Sequence, residues 1–242
     1  MANAPPRTPT HILIIPDGNR RWARERGLDV LKGHEKGIEN IGEVLKWCKE
    51  FEIKYVTLWG FSSENRSRSE EEVRGLMQLF ESKLFEILDR AEKEKGKEGE
   101  YPKVRIKFYG NIAGMPFKIQ QYIRQLEERT RNNNEYFVSF LLNYGGAEEL
   151  AECIRSIAED YKKGIIHEIT YDEIKRRLWT GELPPPDVII RTSGEYRLSG
   201  VMPVQSGYSE LFFVKKYWPD FSKEDFVEVL NEYSRRERRF GR

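Results

Sequence analysis

No stretch of this chain is long and apolar enough to cross a bilayer, and its first residues carry no apolar run of the kind a secretory signal requires. Cysteine is scarce. Cys48 and Cys153, the only two, both sit in helix-like patterns where a small buried hydrophobe serves, which argues against a disulfide framework or a zinc site and fits a reducing cytoplasm. An excess of one charge is also missing: 41 Lys+Arg against 40 Asp+Glu leaves a net charge of +1, so no global field favours nucleic acid or anionic lipid. Any anion site must therefore be a local cluster. Neither G-x-G-x-x-G nor G-x-x-x-x-G-K-[ST] occurs, which leaves a Rossmann cofactor site and a Walker A loop without support. There is no internal repeat.

What is present is enough apolar content for a sizeable core, 38% over 242 residues, in one large α/β domain or two small ones. Runs rich in β-branched and aromatic residues recur at 12–15, 55–59, 104–109, 137–142, 188–190 and 211–214, with helical periodicity between most of them. That alternation predicts a single α/β domain built on a central, mostly parallel six-stranded sheet flanked by helices. From Ser69, one apolar stripe runs Val73, Leu76, Met77, Phe80, Leu84, Ile87, Leu88, and Ser69 with Glu72 forms a capping-box pattern, so a long amphipathic helix is expected over 69–94. Further helices are expected at 120–131, 147–162 and 171–180, with another continuing from His34 through Ile38, Ile41, Val44 and Leu45. The first ten residues, with three prolines, read as a disordered leader, residues 11–242 as the domain, and the charged, glycine-broken 92–100 segment as a surface connection.

The chemistry concentrates where a short apolar strand runs into Asp17-Gly18-Asn19-Arg20-Arg21-Trp22. Gly18 lets the backbone approach a ligand closely, and Trp22-Ala23-Arg24 looks like the first turn of a helix whose amides would face the same anion. Asp17 reads either as a turn residue or as a metal ligand. Two more clusters of Arg, Ser or Asn and a carboxylate follow predicted strands, at 61–68 and 191–199, and Glu210 opens the sixth. The carboxyl ends of parallel strands form the ligand crevice of such folds, so three clusters can converge on a diphosphate, whose many acceptor oxygens suit arginine forks. Glu64 and Glu195 read equally as ion-pair partners or Mg²⁺ ligands, and the arginine-rich 235–242 end as a solvated tail rather than a nucleic-acid patch.

Taken together, DGNRRWA at 17–23, GH at 33–34, FSSEN at 61–65 with Arg68, NYGG at 143–146, IRTSGEYRLS at 190–199, Tyr208 with Glu210, WPDF at 218–221 and RERRFG at 236–241 resemble the cis-prenyltransferases, the family of undecaprenyl and dehydrodolichyl diphosphate synthases. The resemblance implies a Mg²⁺-dependent enzyme that condenses isopentenyl diphosphate onto an allylic primer, with an apolar tunnel for the growing chain. The archaeal-like DGNRR and RTSGEYRLSG runs imply geranylgeranyl or farnesyl diphosphate as primer and a long polyprenyl diphosphate for a glycan-carrier lipid. Asp17 would position Mg²⁺ and the leaving diphosphate, with Glu210 as a further metal-linked residue. Gly18, Asn19, Arg20, Arg21 and Trp22 would bind the allylic substrate and His34 would assist departure. Arg191, Arg197 and Ser199 would hold isopentenyl diphosphate, while Ser62, Asn65 and Arg68 would order a loop over both. Arg239 and Gly241 would reach a partner's site, implying a homodimer with no nucleic-acid partner and at most peripheral membrane contact as product leaves. The tunnel wall would draw on Val73, Leu76, Met77, Phe80 and Leu84 with Leu58, Phe140 and Leu142, residues that serve equally as ordinary core. Three positions depart from the family pattern: Val30, Arg66 and Val204. A short-chain or branching condensing enzyme of the same fold, or a non-catalytic partner subunit, are the alternative readings.

Overall fold

Among the described residues six strands form one sheet in the order β3-β4-β2-β1-β5-β6: β1 His11–Ile15, β2 Tyr55–Ser62, β3 Val104–Tyr109, β4 Tyr136–Tyr144, β5 Val188–Arg191 and β6 Glu210–Phe213. Every neighbouring pair is parallel, so the sheet is wholly rather than mostly parallel. This computed structural model describes residues 7–93 and 103–237. The run HILII of β1 has no polar side because the strand is covered twice. Ile12 and Ile14 pack in one core cluster and Leu13 and Ile15 in another, on the opposite face.

Seven helices flank the sheet among the described residues: α1 Asn19–Glu25, α2 Val30–Glu50, α3 Glu70–Lys93, α4 Phe117–Thr130, α5 Gly146–Lys162, α6 Tyr171–Arg177 and α7 Lys223–Arg235. α2 and α7 cover one face through Val44, Cys48, Phe226 and Val229, packed with Ile12, Ile14, Leu58 and Val188. α3 and α4 join through Leu84, Leu88, Ile119, Ile123 and Leu126. Both cysteines are free and buried in helices. α6 stops short of the expected 171–180 because the chain turns extended at Leu178 and delivers Thr180 to the buried carboxylate of Glu149, whose Oε1 accepts from the Thr180 amide (2.8 Å) and hydroxyl (2.7 Å). α7 lies outside the expected helices. Its apolar face of Phe226, Val229, Leu230 and Tyr233 is helical in spacing, and Ser222 and Asp225 form its capping box.

Residues 92 and 93 continue α3 rather than opening a loop. The rest of the 92–100 connection, residues 1–6 of the leader, and Arg239 and Gly241 lie outside the described residues. Among the described residues no helix is long and apolar enough to cross a membrane.

The chain leaves β1 in one direction for β2, β3 and β4 and crosses to the other side for β5 and β6, so the sheet's order reverses between β1 and β5. A crevice opens outside the carboxyl ends of strands at such a reversal.

Candidate active site

Ile15 and Arg191 are register partners at the carboxyl ends of β1 and β5, which sets Asp17 beside Arg191 at the reversal point. Arg191 Nη2 donates to Asp17 Oδ2 at 2.8 Å, and its Nη1 donates to the Ser199 hydroxyl (2.9 Å) and the Arg197 carbonyl. Arg21, one turn into α1, donates to Ser193 Oγ (2.6 Å) and Glu195 Oε1 (2.9 Å) and lies 3.5 Å from Asp17 Oδ1. Burial opposes the charge on Asp17, but Arg191, Arg21 and Ser193 outweigh it and hold the carboxyl below its usual range. It is an anion wherever enzymes normally work.

Gly18 makes this corner possible. Its φ of +105° is left-handed, and a Cβ there would stand 2.6 Å from the Tyr217 ring. A similar close approach brings α2 against α1, where Cβ atoms at Gly33 and Gly37 would lie 2.1 Å from the Asn19 carbonyl and 2.3 Å from Asn19 Oδ1. That packing carries His34 into the cleft beside Asn19, whose Nδ2 donates to the Pro16 carbonyl while its Oδ1 is buried without a hydrogen bond.

Glu72 takes up the expected cap with its backbone but not with its side chain. Its amide accepts the capping role, donating to Ser69 Oγ (3.3 Å), but its carboxylate does not reach back to the cap. Instead Glu72 Oε1 gathers Arg68 (3.0 Å), Arg20 (3.3 Å) and His34 (3.6 Å), joining α1, α2 and α3 at one buried carboxylate that is only 9% exposed. Three basic groups crowd one acid, and burial together with Arg68 lowers the His34 pKa to about 4, so its ring is neutral at pH 7. A glutamate three residues after a serine carries a local signal for a cap and none for contacts across the fold.

A cleft of about 230 Å³ carries Asp17, Asn19, His34, Ser62, Asn65, Arg68, Arg191 and Ser199 on its wall. Ser62 and Asn65 form the reciprocal cap of the 3-10 turn Ser63–Ser67. The same wall has an apolar part: Ile38, Ile41, Trp59, Phe61, Leu76, Phe80 and Trp218. Of the expected tunnel residues, Leu76 and Phe80 face the cleft. Leu84 and Leu142 pack in the same cluster as Phe61 and Leu76 without reaching the cleft wall, Phe140 packs against that cluster and against the α2-side core, and Leu58 lies in the α2-side core.

Other expected site residues fall elsewhere. Trp22, which is not on the cleft wall, donates Nε1 to Asp220 (2.7 Å) and its ring is covered by Arg26, so that α1 is fastened to the 218–220 turn. The Arg197 guanidinium is exposed and paired with Glu195, so only its carbonyl joins the Arg191 web. Glu210 is at the amino end of β6, in register with Val188, about 10 Å before the level of Arg191 at the usual strand rise, and it accepts from Arg236 (2.9 Å). Its own chain does not bring it to Asp17. Among the described residues no three His, Cys, Asp or Glu side chains cluster to hold an ion.

The fold and cleft together define an α/β protein whose one cleft combines arginines and hydrogen-bonding groups with apolar side chains, a lining suited to an amphiphile with an anionic head. A family profile described as "Putative undecaprenyl diphosphate synthase" matches residues 15–241. The chain is 42% identical over 97% of both lengths to the isoprenyl transferase of Thermotoga maritima. It is 44% identical to the geranylgeranyl-diphosphate-specific tritrans,polycis-undecaprenyl-diphosphate synthase of Methanocaldococcus jannaschii, covering 97% of this chain and 83% of that one. The crystal structure of lavandulyl diphosphate synthase from Lavandula x intermedia with dimethylallyl diphosphate superposes with a TM-score of 0.89 at 31% identity, over 97% of this chain and 99% of the other. The chain belongs to the cis-prenyltransferase family, a family of prenyl-transferring enzymes.

Proposed function

We propose that this enzyme adds isopentenyl diphosphate units to an allylic diphosphate primer, geranylgeranyl or farnesyl diphosphate, to give a long-chain Z-polyprenyl diphosphate for a glycan-carrier lipid. The observation that carries the reading is the double character of one cleft, whose wall combines Asp17, Arg191 and Arg68 with Ile38, Ile41, Phe61, Leu76 and Phe80. A diphosphate fits the first and a prenyl chain the second.

Ionising an allylic diphosphate builds negative charge on the leaving group, and pre-aimed donors lower that barrier without reorganising. Arg21, Arg68 and the Asn65 side chain supply such donors on the primer side, with Arg191 and Ser199 on the isopentenyl side. His34, neutral, contributes a hydrogen bond rather than a charge. The donor set suits Mg²⁺, which takes one or two carboxylates and completes its shell with phosphate oxygens and water. Asp17, ionised and partly open, would hold it, and the bound ion would neutralise developing phosphate charge. Because Glu210 stands away from Asp17 in its own chain, a role for it at the ion requires a second copy, as do the roles of Arg239 and Gly241. We therefore read the enzyme as a homodimer acting in the cytoplasm, with peripheral membrane contact at product release.

The deciding experiment incubates the purified protein with Mg²⁺, labelled isopentenyl diphosphate and, separately, farnesyl and geranylgeranyl diphosphate, and sizes the extracted products. Long chains that disappear on chelation are the expected result. One- or few-step products would move the assignment to a short-chain or branching enzyme, the reading favoured by the likeness to lavandulyl diphosphate synthase. No product would point to a subunit that needs a different partner.

A further inference from the structure

The 3-10 turn Ser63–Ser67 presents Asn65 and the following Arg68 to the cleft, and its internal bonds are all local: the reciprocal Ser62–Asn65 cap, with the Ser62 amide donating to Asn65 Oδ1 at 3.3 Å, the Ser67 hydroxyl donating to the Glu64 carbonyl at 2.8 Å, and the Arg68 amide donating to the Asn65 carbonyl at 3.2 Å. Between those two residues, Arg66 turns to other elements. Its Nε donates to Asn143 Oδ1 at 2.7 Å, at the carboxyl end of β4, and its Nη2 to the Gly114 carbonyl at 2.8 Å, in the turn after β3. Asn143 is a firm anchor. It is 1% exposed, sits at a left-handed φ of 49°, and donates its Nδ2 to the Asn111 carbonyl at 2.7 Å. The Asn111 amide donates in turn to the Asn143 carbonyl at 3.1 Å.

We propose that Arg66 is a positioning residue that fastens the 63–67 turn to the ends of β3 and β4, and so holds Asn65 and Arg68 on the wall of the cleft. The inference rests on the reading of that cleft as a diphosphate site. A guanidinium suits the task because its planar fork reaches two fixed acceptors at once, which a lysine ammonium on a freely rotating stem does not. Gly114 leaves room for the fork, since a Cβ there would stand 2.7 Å from Arg66 Nη2.

Two variants test this from opposite sides. Arg66→Lys keeps the charge and loses the fork, while Gly114→Ala keeps Arg66 and displaces its guanidinium. Amide exchange over residues 62–68, followed by mass spectrometry on the full chain, should rise about tenfold in both, the scale of one or two lost hydrogen bonds, with β1 exchange unchanged. The kcat/KM for the primer should fall about tenfold in both, since Asn65 and Arg68 remain but are no longer held in place. Unchanged exchange in both variants overturns the proposal, as does raised exchange with an unchanged kcat/KM. If the wild-type enzyme makes no prenyl product, the functional reading fails while the exchange measurement still decides whether Arg66 fastens the turn.

Discussion

The two ends of the sheet each hold a histidine, and the contrast between them separates a scaffold from a site. At the amino end, His11 is fully buried with both ring nitrogens engaged. Nδ1–H donates to the Pro184 carbonyl at 2.7 Å, which leaves Nε2 to accept from the Thr57 hydroxyl at 2.9 Å, and Asp187 accepts from the Thr10 and His11 amides. Nothing there awaits a ligand. At the carboxyl end, His34 Nε2 is buried without a hydrogen bond, as are Asn19 Oδ1 and Arg191 Nε. Both rings have pKa values lowered to about 4, His11 by burial and His34 by burial together with Arg68. Equal shifts thus come from a satisfied group and from an unsatisfied one. Buried polar atoms normally find partners, and four of the five exceptions among the described residues, Asn19 Oδ1, Arg20 Nε, His34 Nε2 and Arg191 Nε, belong to this carboxyl-end cluster, the fifth being Gln205 Oε1.

The largest test of this contrast is Asp17→Ala. It removes the acid of the carboxyl end and should cut turnover by about a thousandfold or more while the melting temperature stays within about 4 °C, because Arg191 keeps Ser199 and the Arg197 carbonyl. Near-normal turnover would refute the assigned role.

His11→Leu asks the converse. Orphaning the buried Thr57 hydroxyl and the Pro184 carbonyl should cost about 2–4 kcal/mol in denaturant unfolding and leave kcat and KM of the folded enzyme unchanged. The same residue sets a pH dependence. Its folded value lies below the ordinary 6.5, so between pH 6.5 and about 4 the unfolded chain binds a proton that the native chain does not. Stability is therefore full above 6.5 and falls as pH drops through that window, by about 3 kcal/mol in total for a shift of this size. Urea titrations at stepped pH should show that slope in the wild type and its reduction in the variant.

Much of the scaffold could be read locally and much of the site could not, for one physical reason. Strands such as 104–109 match because β-branched and aromatic runs bounded by turns are a signal of neighbouring residues, and α3 follows its stripe to within a residue or two at each end. β2 and β4 run further than their apolar runs because irregular pairing around Trp59, Phe61 and Ser62 carries the ladder into polar residues. α7 went unread because charged residues flank its apolar stripe and merge with the arginine-rich end. At the site, Asp17, His34, Arg68 and Arg191 announce themselves as residue types in motifs. Glu72 with Arg20, and Arg66 with Asn143, are pairings between distant segments that leave no mark on either segment alone.

Glu72→Gln tests whether that first pairing matters. It keeps size and hydrogen bonding but leaves Arg20, Arg68 and His34 without their shared anion. A loss of roughly tenfold to a hundredfold in kcat/KM is expected, the usual cost of removing a group that orients the residues touching a ligand. A change below twofold would reduce Glu72 to a helix-start residue.

The smallest effect sharpens the comparison most. Following both histidine rings by NMR while inorganic pyrophosphate is added should move His34 upward from its value near 4 and leave His11 in place. Arg68 is among the causes that lower His34, and a bound anion would offset that guanidinium and offer Nε2 an acceptor once protonated. His11, at the other end of β1 and already bonded on both sides, offers the anion nothing. If both rings shifted together, the response would be a general charge effect; if neither moved, the unsatisfied nitrogen of His34 would not mark the diphosphate site.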